Sequence, residues 1–267
     1  MNTINLAKKI RIDVIKMVNS SGASHIGPIL SIVDIIAVLY GKVMSYDPKN
    51  PLLKTRDRFI LSKGHGGAAV YAVLAETGFF DKSELLDYCQ DGSKYGGHVS
   101  HINIPGVEFS TGSLGHGLSV ASGIALRAKL DNMNHRVFAI LGDGELDEGS
   151  NWEALMFSAH KKLDNLCIVI DRNNLQSIDT TENTLALEPL AKKIRSFGWH
   201  VQEINGHDHQ LLEKALNSSF KKPLCIIAKT IKGKGVSFME NSVEWHYKTP
   251  KGSNFDQAIL ELSLIHI

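Results

Sequence analysis

Residues 139–155 read AILGDGELDEGSNWEAL. An apolar run with the pattern of a buried strand stops at Gly142, and the next residue, Asp143, stands between two glycines. Glycine turns after buried strands commonly bring backbone N–H groups up to a phosphate. A bare carboxylate has the wrong sign there: at about 4 Å from a phosphate charge it is repelled by about 4 kcal/mol at an effective dielectric of about 20. A divalent cation between the two reverses that sign. Two phosphate-binding patterns also fail on spacing. A dinucleotide fingerprint needs G-x-G-x-x-G, and the glycines here are Gly142, Gly144 and Gly149. A P-loop fits the spacing of Gly144 to Gly149, but Ser150 stands where its lysine belongs. A functional Asp143 therefore implies a metal-bridged phosphate. Mg²⁺ suits it, since it takes few protein oxygens beside phosphate oxygens.

Outward from this turn the second half of the chain alternates. Strand-like runs cover Val137–Leu141, Leu166–Asp171, Trp199–Ile204 and Leu224–Ala228. Helical patterns lie between them at Trp152–Lys162, Leu190–Phe197 and Leu211–Phe220, the last with Asp208 as its N-cap. Continuous apolar strands alternating with helices predict an α/β fold: a mostly parallel central sheet with helices on both faces. Ligands of such sheets bind at the carboxyl ends of the strands. Asp143 and Asn173 each follow a predicted strand, thirty residues apart, so both are expected at that edge. Either alone reads as an ordinary turn residue; the pair reads as two oxygen donors to one metal, with the Leu175 carbonyl as a third.

In the first half, Leu6, Ile10, Val14 and Val18 recur every four residues and predict a helix to about Ser20, and Ile32–Leu39 reads as an apolar helix. RFILSKGH (58–65) is a short strand ending in a glycine turn, and GGAAVYAVLAETG and LGHGLSVASGIALRAKL are helical. Between them, Asp91–Ser113 is rich in Gly, His and Ser without periodicity, the mark of a functional or disordered loop.

Composition narrows the function classes. Among 267 residues, 29 Lys and Arg face 28 Asp and Glu. That balance gives no reason to expect nucleic acid or an anionic membrane as partner. No apolar run is long enough to span a bilayer, and the first residues form an amphipathic helix pattern instead of a signal peptide. Three widely spaced cysteines, Cys89, Cys167 and Cys225, read as reduced residues of a cytoplasmic protein.

The segment GDGELDEGSNWEALMFSAHKKLDNLCIVIDRNN (142–174) resembles the thiamine-diphosphate motif: GDG, about thirty residues, then NN. SHIGPILSIVDIIAVLY, DRFILSKGHGGAAVYAVLAETG, GGHVS, PGVEFSTGSLGHGLSVASGIAL and VEWHYKTP are similar, in order, to the N-terminal half of the transketolase family, over most of residues 7–250. The resemblance implies a diphosphate-binding domain over residues 1–267. Asp143, Asn173 and the Leu175 carbonyl would hold Mg²⁺ (Ca²⁺ or Mn²⁺ as substitutes), and Gly144 would let the cofactor diphosphate approach. His65 would touch the diphosphate. His25, His98 and His246 would face the substrate, with His246 also at the cofactor. Gly112, Ser113 and Leu114 would cradle the cofactor rings. Glu148 would join a carboxylate network linking two active sites across a dimer. His116 stands where many relatives carry glutamine, which makes it a supporting residue. His207 and His209 read as turn and cap neighbours. Lys232 and Lys234 either neutralise a diphosphate or lie in a solvated loop.

In this family a second domain supplies the glutamate that activates the aminopyrimidine, and the sequence shows no segment for it. The expectation is a split transketolase subunit working with a separate C-terminal subunit in an α2β2 complex. It would transfer a two-carbon ketol unit between sugars or sugar phosphates. Three alternatives stay open: a deoxyxylulose-phosphate-synthase-like or unusual-sugar enzyme on the same cofactor, a non-catalytic cofactor-binding module, and a Mg²⁺-dependent nucleotide hydrolase.

Overall fold

The computed structural model describes residues 1–264. Its centre is a parallel sheet of β1 (Arg58–Leu61), β2 (Val137–Gly142), β3 (Leu166–Arg172), β4 (His200–Asn205) and β5 (Leu224–Lys229), in the order β1-β2-β3-β5-β4. Every residue of β2 and β3 is buried, which is why these strands are apolar at successive positions. The two-residue period of a strand divides them between two layers. Phe138, Ile140 and Val169 join one core with α1 (Thr3–Ser21), α2 (Ile26–Ser31), α3 (Val33–Val38) and α4 (Gly67–Glu76). Val137, Ala139, Leu141, Ile168 and Ile170 join the other with α5 (Gly117–Leu130), α6 (Gly149–His160) and, beyond the short α7 (Thr181–Thr184), α8 (Leu190–Ser196). The edge strand β4 buries only Val201, and its other residues are partly or fully exposed, as an edge position allows.

Boundaries shift from the sequence reading for local reasons. The helix expected over Ile32–Leu39 is α3 (Val33–Val38); a separate short helix, α2, precedes it and ends before Ile32, and after α3 the chain runs into a wide π-type turn at Leu39–Val43. α6 opens at Gly149, ahead of Trp152. α9 (His209–Leu216) starts early because the Asp208 carboxylate accepts from the amides of Gln210 and Leu211. A final helix, α10 (Ser253–Leu264), packs Ala258 and Leu262 onto the first core. The stretch 91–116 is an ordered loop without helix or strand. The Tyr71 hydroxyl donates to the His98 carbonyl at 3.0 Å and accepts from the Ser100 amide at 2.9 Å. Thr111 N–H donates to the Val99 carbonyl. No helix among the described residues is long and apolar enough to cross a membrane.

Candidate active site

The carboxyl ends of β1, β2, β3 and β5 open onto one cleft of about 260 Å³. Asp143 is the first residue after β2 and Asn173 the first after β3, neighbouring strands paired Gly142 to Asp171. Both side chains and Leu175 line the cleft. Asp143 Oδ1 accepts from the Gly144 amide at 2.9 Å and Oδ2 from the Asn174 amide at 2.7 Å. Burial, and then the charge of nearby Asp171, push its carboxyl up to about 6. Arg172 lies 3.4 Å away and offsets this only in part, since it also serves Thr181, Glu182 and Glu188. A cation is what this carboxylate lacks.

Asn173 donates its amide nitrogen to Asp171 at 3.1 Å. That bond fixes the amide, and its oxygen accepts from the Leu175 amide at 3.1 Å, which leaves it one lone pair for a ligand. Asp171 is itself fully buried. Burial would raise it, but Lys63 at 2.6 Å and hydrogen bonds from Ser31 and Thr230 hold it below its ordinary value. The donor set is one carboxylate, one amide oxygen and one backbone carbonyl, all hard oxygens suited to a cation such as Mg²⁺. Among the described residues no three acidic, histidine or cysteine side chains gather into a metal cluster, so a cation held here would draw its remaining ligands from water or from an anion such as a phosphate. Gly144 lets Gln176 pack against the turn: a Cβ there would meet Gln176 Cγ at 2.8 Å.

The opposite wall is imidazole. The His25 ring lies 5.5 Å from His65, 5.7 Å from His98 and 5.2 Å from His246, centre to centre. The backbone of His25 takes the left-handed conformation (φ 75°), uncommon outside glycine, and its N–H donates to the His246 carbonyl at 2.8 Å. Burial and then its neighbours, His98 first, lower the His25 ring to about 4; burial and then the Lys232 charge lower His246 to about 3. Burial and then Lys63 hold His65 well below its usual value. These three rings are therefore neutral at physiological pH, each with one N–H and one lone pair. Lys232 closes the cleft between the walls. Its amine is buried, lies 2.7 Å from the Gln176 carbonyl and 3.0 Å from His246 Nδ1, and is lowered to about 8 by burial and then by Lys63. Its donation to Nδ1 leaves the His246 proton on Nε2.

Gly112 and Leu114 also line this cleft. Ser113 is exposed outside its lining. Glu148 is exposed in the single chain just before α6. The buried acid of that turn is Glu145, whose carboxylate accepts from Ser62, the Gly115 amide and the Gly142 amide. His101 points to Ser110 and His116 to the Leu114 carbonyl, both exposed. Lys234 pairs with Glu240 at 3.3 Å. Sequence reasoning passed over Lys63, Glu145, Asp171 and Tyr247. The available signal was charge at the ends of wholly apolar runs, as in ILSK and VIDR. Tyr247 carried no signal beyond its place beside His246.

A parallel sheet whose strand ends set hard oxygen donors against neutral imidazoles has the makings of a domain for a diphosphate cofactor. Comparison with known proteins agrees. Residues 3–258 match the family model described as transketolase, thiamine diphosphate binding domain. The chain is 43% identical over 259 residues to one of the subunits of the apulose-4-phosphate transketolase of Actinobacillus succinogenes, covering 96% of this chain and 94% of that one. It is 40% identical over 260 residues to the 6-deoxy-6-sulfo-D-fructose transketolase subunit SqwG of a Clostridium species, covering 96% and 94%. The transketolase structure from Campylobacter jejuni superposes with a TM-score of 0.92 at 32% identity, over 98% of this chain and 43% of that one. The chain thus spans less than half the length of that transketolase. It belongs to the transketolase family, and it carries that family's thiamine diphosphate-binding domain.

Proposed function

We propose that this chain is the diphosphate-binding subunit of a split transketolase, moving a two-carbon ketol unit from a ketose, or ketose phosphate, to an aldose. One observation carries the reading: Asp143, Asn173 and the Leu175 carbonyl share a cleft with four imidazoles and a buried lysine. An unusual sugar as substrate is favoured by the likeness to subunits named for apulose 4-phosphate and sulfofructose.

When bound, thiamine diphosphate supplies the nucleophilic carbon and electron sink for breaking and remaking a carbon–carbon bond beside a carbonyl. The chain's own residues do the rest. Asp143, Asn173 and the Leu175 carbonyl hold Mg²⁺, with Ca²⁺ or Mn²⁺ as substitutes, while Gly144, His65 and Lys232 receive the diphosphate. Gly112, Ser113 and Leu114 form the loop beside the cofactor rings. His246 offers its Nε2 proton to a substrate oxygen. His25, whose Nδ1 lies 3.0 Å from the Ser24 hydroxyl, offers Nε2. His98, at the exposed mouth, meets the sugar hydroxyls. Neutral rings exchange protons with hydroxyl and carbonyl oxygens without adding charge to the cleft.

We take residues 1–267 as one domain, supported by its single sheet, and place it in the cytoplasm on its three free cysteines. Glu148 is free in the single chain to meet its counterpart across a dimer. The partner is a subunit with the pyrimidine-binding domain, in an α2β2 complex. A coupled ketose–aldose assay on this chain, on its partner and on their mixture tests the reading. Activity is expected in the mixture alone, because a cofactor held at one end is not oriented. Full activity from this chain by itself would refute the split.

A further inference from the structure

Behind the cleft lies a second buried charge centre. Asp34, in the first turn of α3, is 1% exposed at its side chain, and Arg11 of α1 is fully buried against it. The guanidinium grips the carboxylate with two parallel bonds, 2.8 Å to Oδ1 and 2.7 Å to Oδ2. His209 Nε2 adds a contact to Oδ1 at 3.1 Å and His207 Nδ1 one to Oδ2 at 2.7 Å. Each oxygen therefore serves two donors, the full capacity of a carboxylate. Burial alone would raise Asp34, but the Arg11 charge and the histidine hydrogen bonds hold it well below its usual range.

Two of these donors have a second end. His207 Nε2 accepts from the Ile231 amide at 2.8 Å, so its ring proton sits on Nδ1 and points to Asp34. Arg11 Nε donates to the Lys234 carbonyl at 3.1 Å. Ile231 and Lys234 flank Lys232, the lysine that reaches into the cleft. Gly233 adds a third anchor: its amide donates to the Gly27 carbonyl at 3.0 Å, and at φ 84° a Cβ there would meet the Met239 carbonyl oxygen at 2.2 Å. The segment is thus held on both sides of Lys232 by groups that meet at one carboxylate.

We infer that Asp34, through Arg11 and His207, is a positioning residue that fixes where Lys232 stands against the cofactor diphosphate and His246. The inference rests on the proposed reading of the cleft. It gives His207 a role that turn geometry alone does not: the ring couples the loop after β4 to the loop after β5.

Two substitutions of His207 in the assembled enzyme, this chain with its partner subunit, separate positioning from folding. An asparagine amide nitrogen reproduces Nδ1 and keeps the bond to Asp34 but loses Ile231. A glutamine amide oxygen reproduces Nε2 and keeps Ile231. Thiamine diphosphate is titrated calorimetrically at fixed Mg²⁺, which reads binding without turnover, and thermal unfolding is followed in parallel. His207→Asn is expected to weaken binding about tenfold, the scale of one lost hydrogen bond, with its unfolding temperature near the parent's. His207→Gln, which keeps Ile231 but releases Asp34, is expected to weaken binding by a similar factor, because the relay needs both ends. Parent-like binding by either variant, or losses that track the unfolding temperature in both, overturns the inference. A parent enzyme that takes up no thiamine diphosphate overturns the cofactor reading first, and the inference with it.

Discussion

The oxygen wall of the cleft, Asp143, Asn173 and Leu175, stands on the ends of two adjacent central strands, while the imidazole wall is gathered from residues 25, 65, 98 and 246. The first inherits its geometry from the sheet, whose register sets one ligand beside the next. The second depends on loop contacts, such as the bond from His25 N–H to the His246 carbonyl and the Tyr71 contacts that pin the His98 loop. The charges differ as well. The oxygen wall holds an acid whose burial is not fully compensated, which favours a cation. On the imidazole wall, His25, His65 and His246 are kept neutral by burial and by lysine charge. In the proposed function the rigid oxygen wall would hold the metal and the imidazole wall would exchange protons, dividing binding from turnover.

Breaking each wall separately tests that division. Asp143→Ala removes the only carboxylate of the proposed metal set and is expected to abolish saturable, Mg²⁺-dependent uptake of thiamine diphosphate in the assembled enzyme, with the fold intact by circular dichroism. Unchanged affinity would remove the metal assignment. His246→Ala is expected to lower kcat about 10²–10⁴-fold, as for a positioned acid–base group, with a much smaller change in cofactor affinity. Near-normal turnover across several donor sugars would make it a bystander.

The smallest effect concerns pH and stability. His25 and His246 have folded values of about 4 and about 3, below the ordinary 6.5. As pH falls through 6.5 the unfolded chain takes up protons that the folded rings refuse, so their contribution to stability is lost towards acid. Asp143, raised to about 6 from 3.8, has the opposite sign: below about 6 the folded state binds the extra proton and gains stability. Between about pH 7 and pH 5 the unfolding temperature of His246→Gln should therefore drop less than the parent's, and that of Asp143→Asn should drop more, each by about 2–4 °C. Equal slopes in all three proteins would show that neither wall titrates as described.

The oxygen wall was legible in the sequence because it is local. Asp143 and Asn173 each end an apolar run, and thirty residues is one strand–helix–strand unit. The sheet itself followed from the same alternation, and four strands lie within a residue or two of their expected limits. The imidazole wall was not legible from spacing, since its members lie on separate turns. Only the likeness of SHIGP, SKGHG, GGHVS and VEWHY to a known family joined them. Asp34 sits inside the apolar run SIVDIIAVLY, which signals a buried partner, but Arg11, His207 and His209 are too distant in sequence to be matched to it. Helix α2 escaped because its Gly27-Pro28 pair reads as a helix breaker. The last helix has its period in Phe255, Ala258, Ile259 and Leu262, and it was passed over for want of a motif.

The bond between the first and last loops of the site also sets an order of events. On a ribosome, the strands carrying Asp143 and Asn173 can pair once about 175 residues have emerged. His25 has no partner for its left-handed turn until residue 246 follows, and the Thr249 hydroxyl, which contacts the carbonyls of Gly22 and Ala23, comes later still. Such long-range closures are the slow part of assembling a chain. The nascent protein therefore completes its oxygen-lined edge first and closes the imidazole side last, so a chain cut short before residue 246 would fold a sheet around an open pocket.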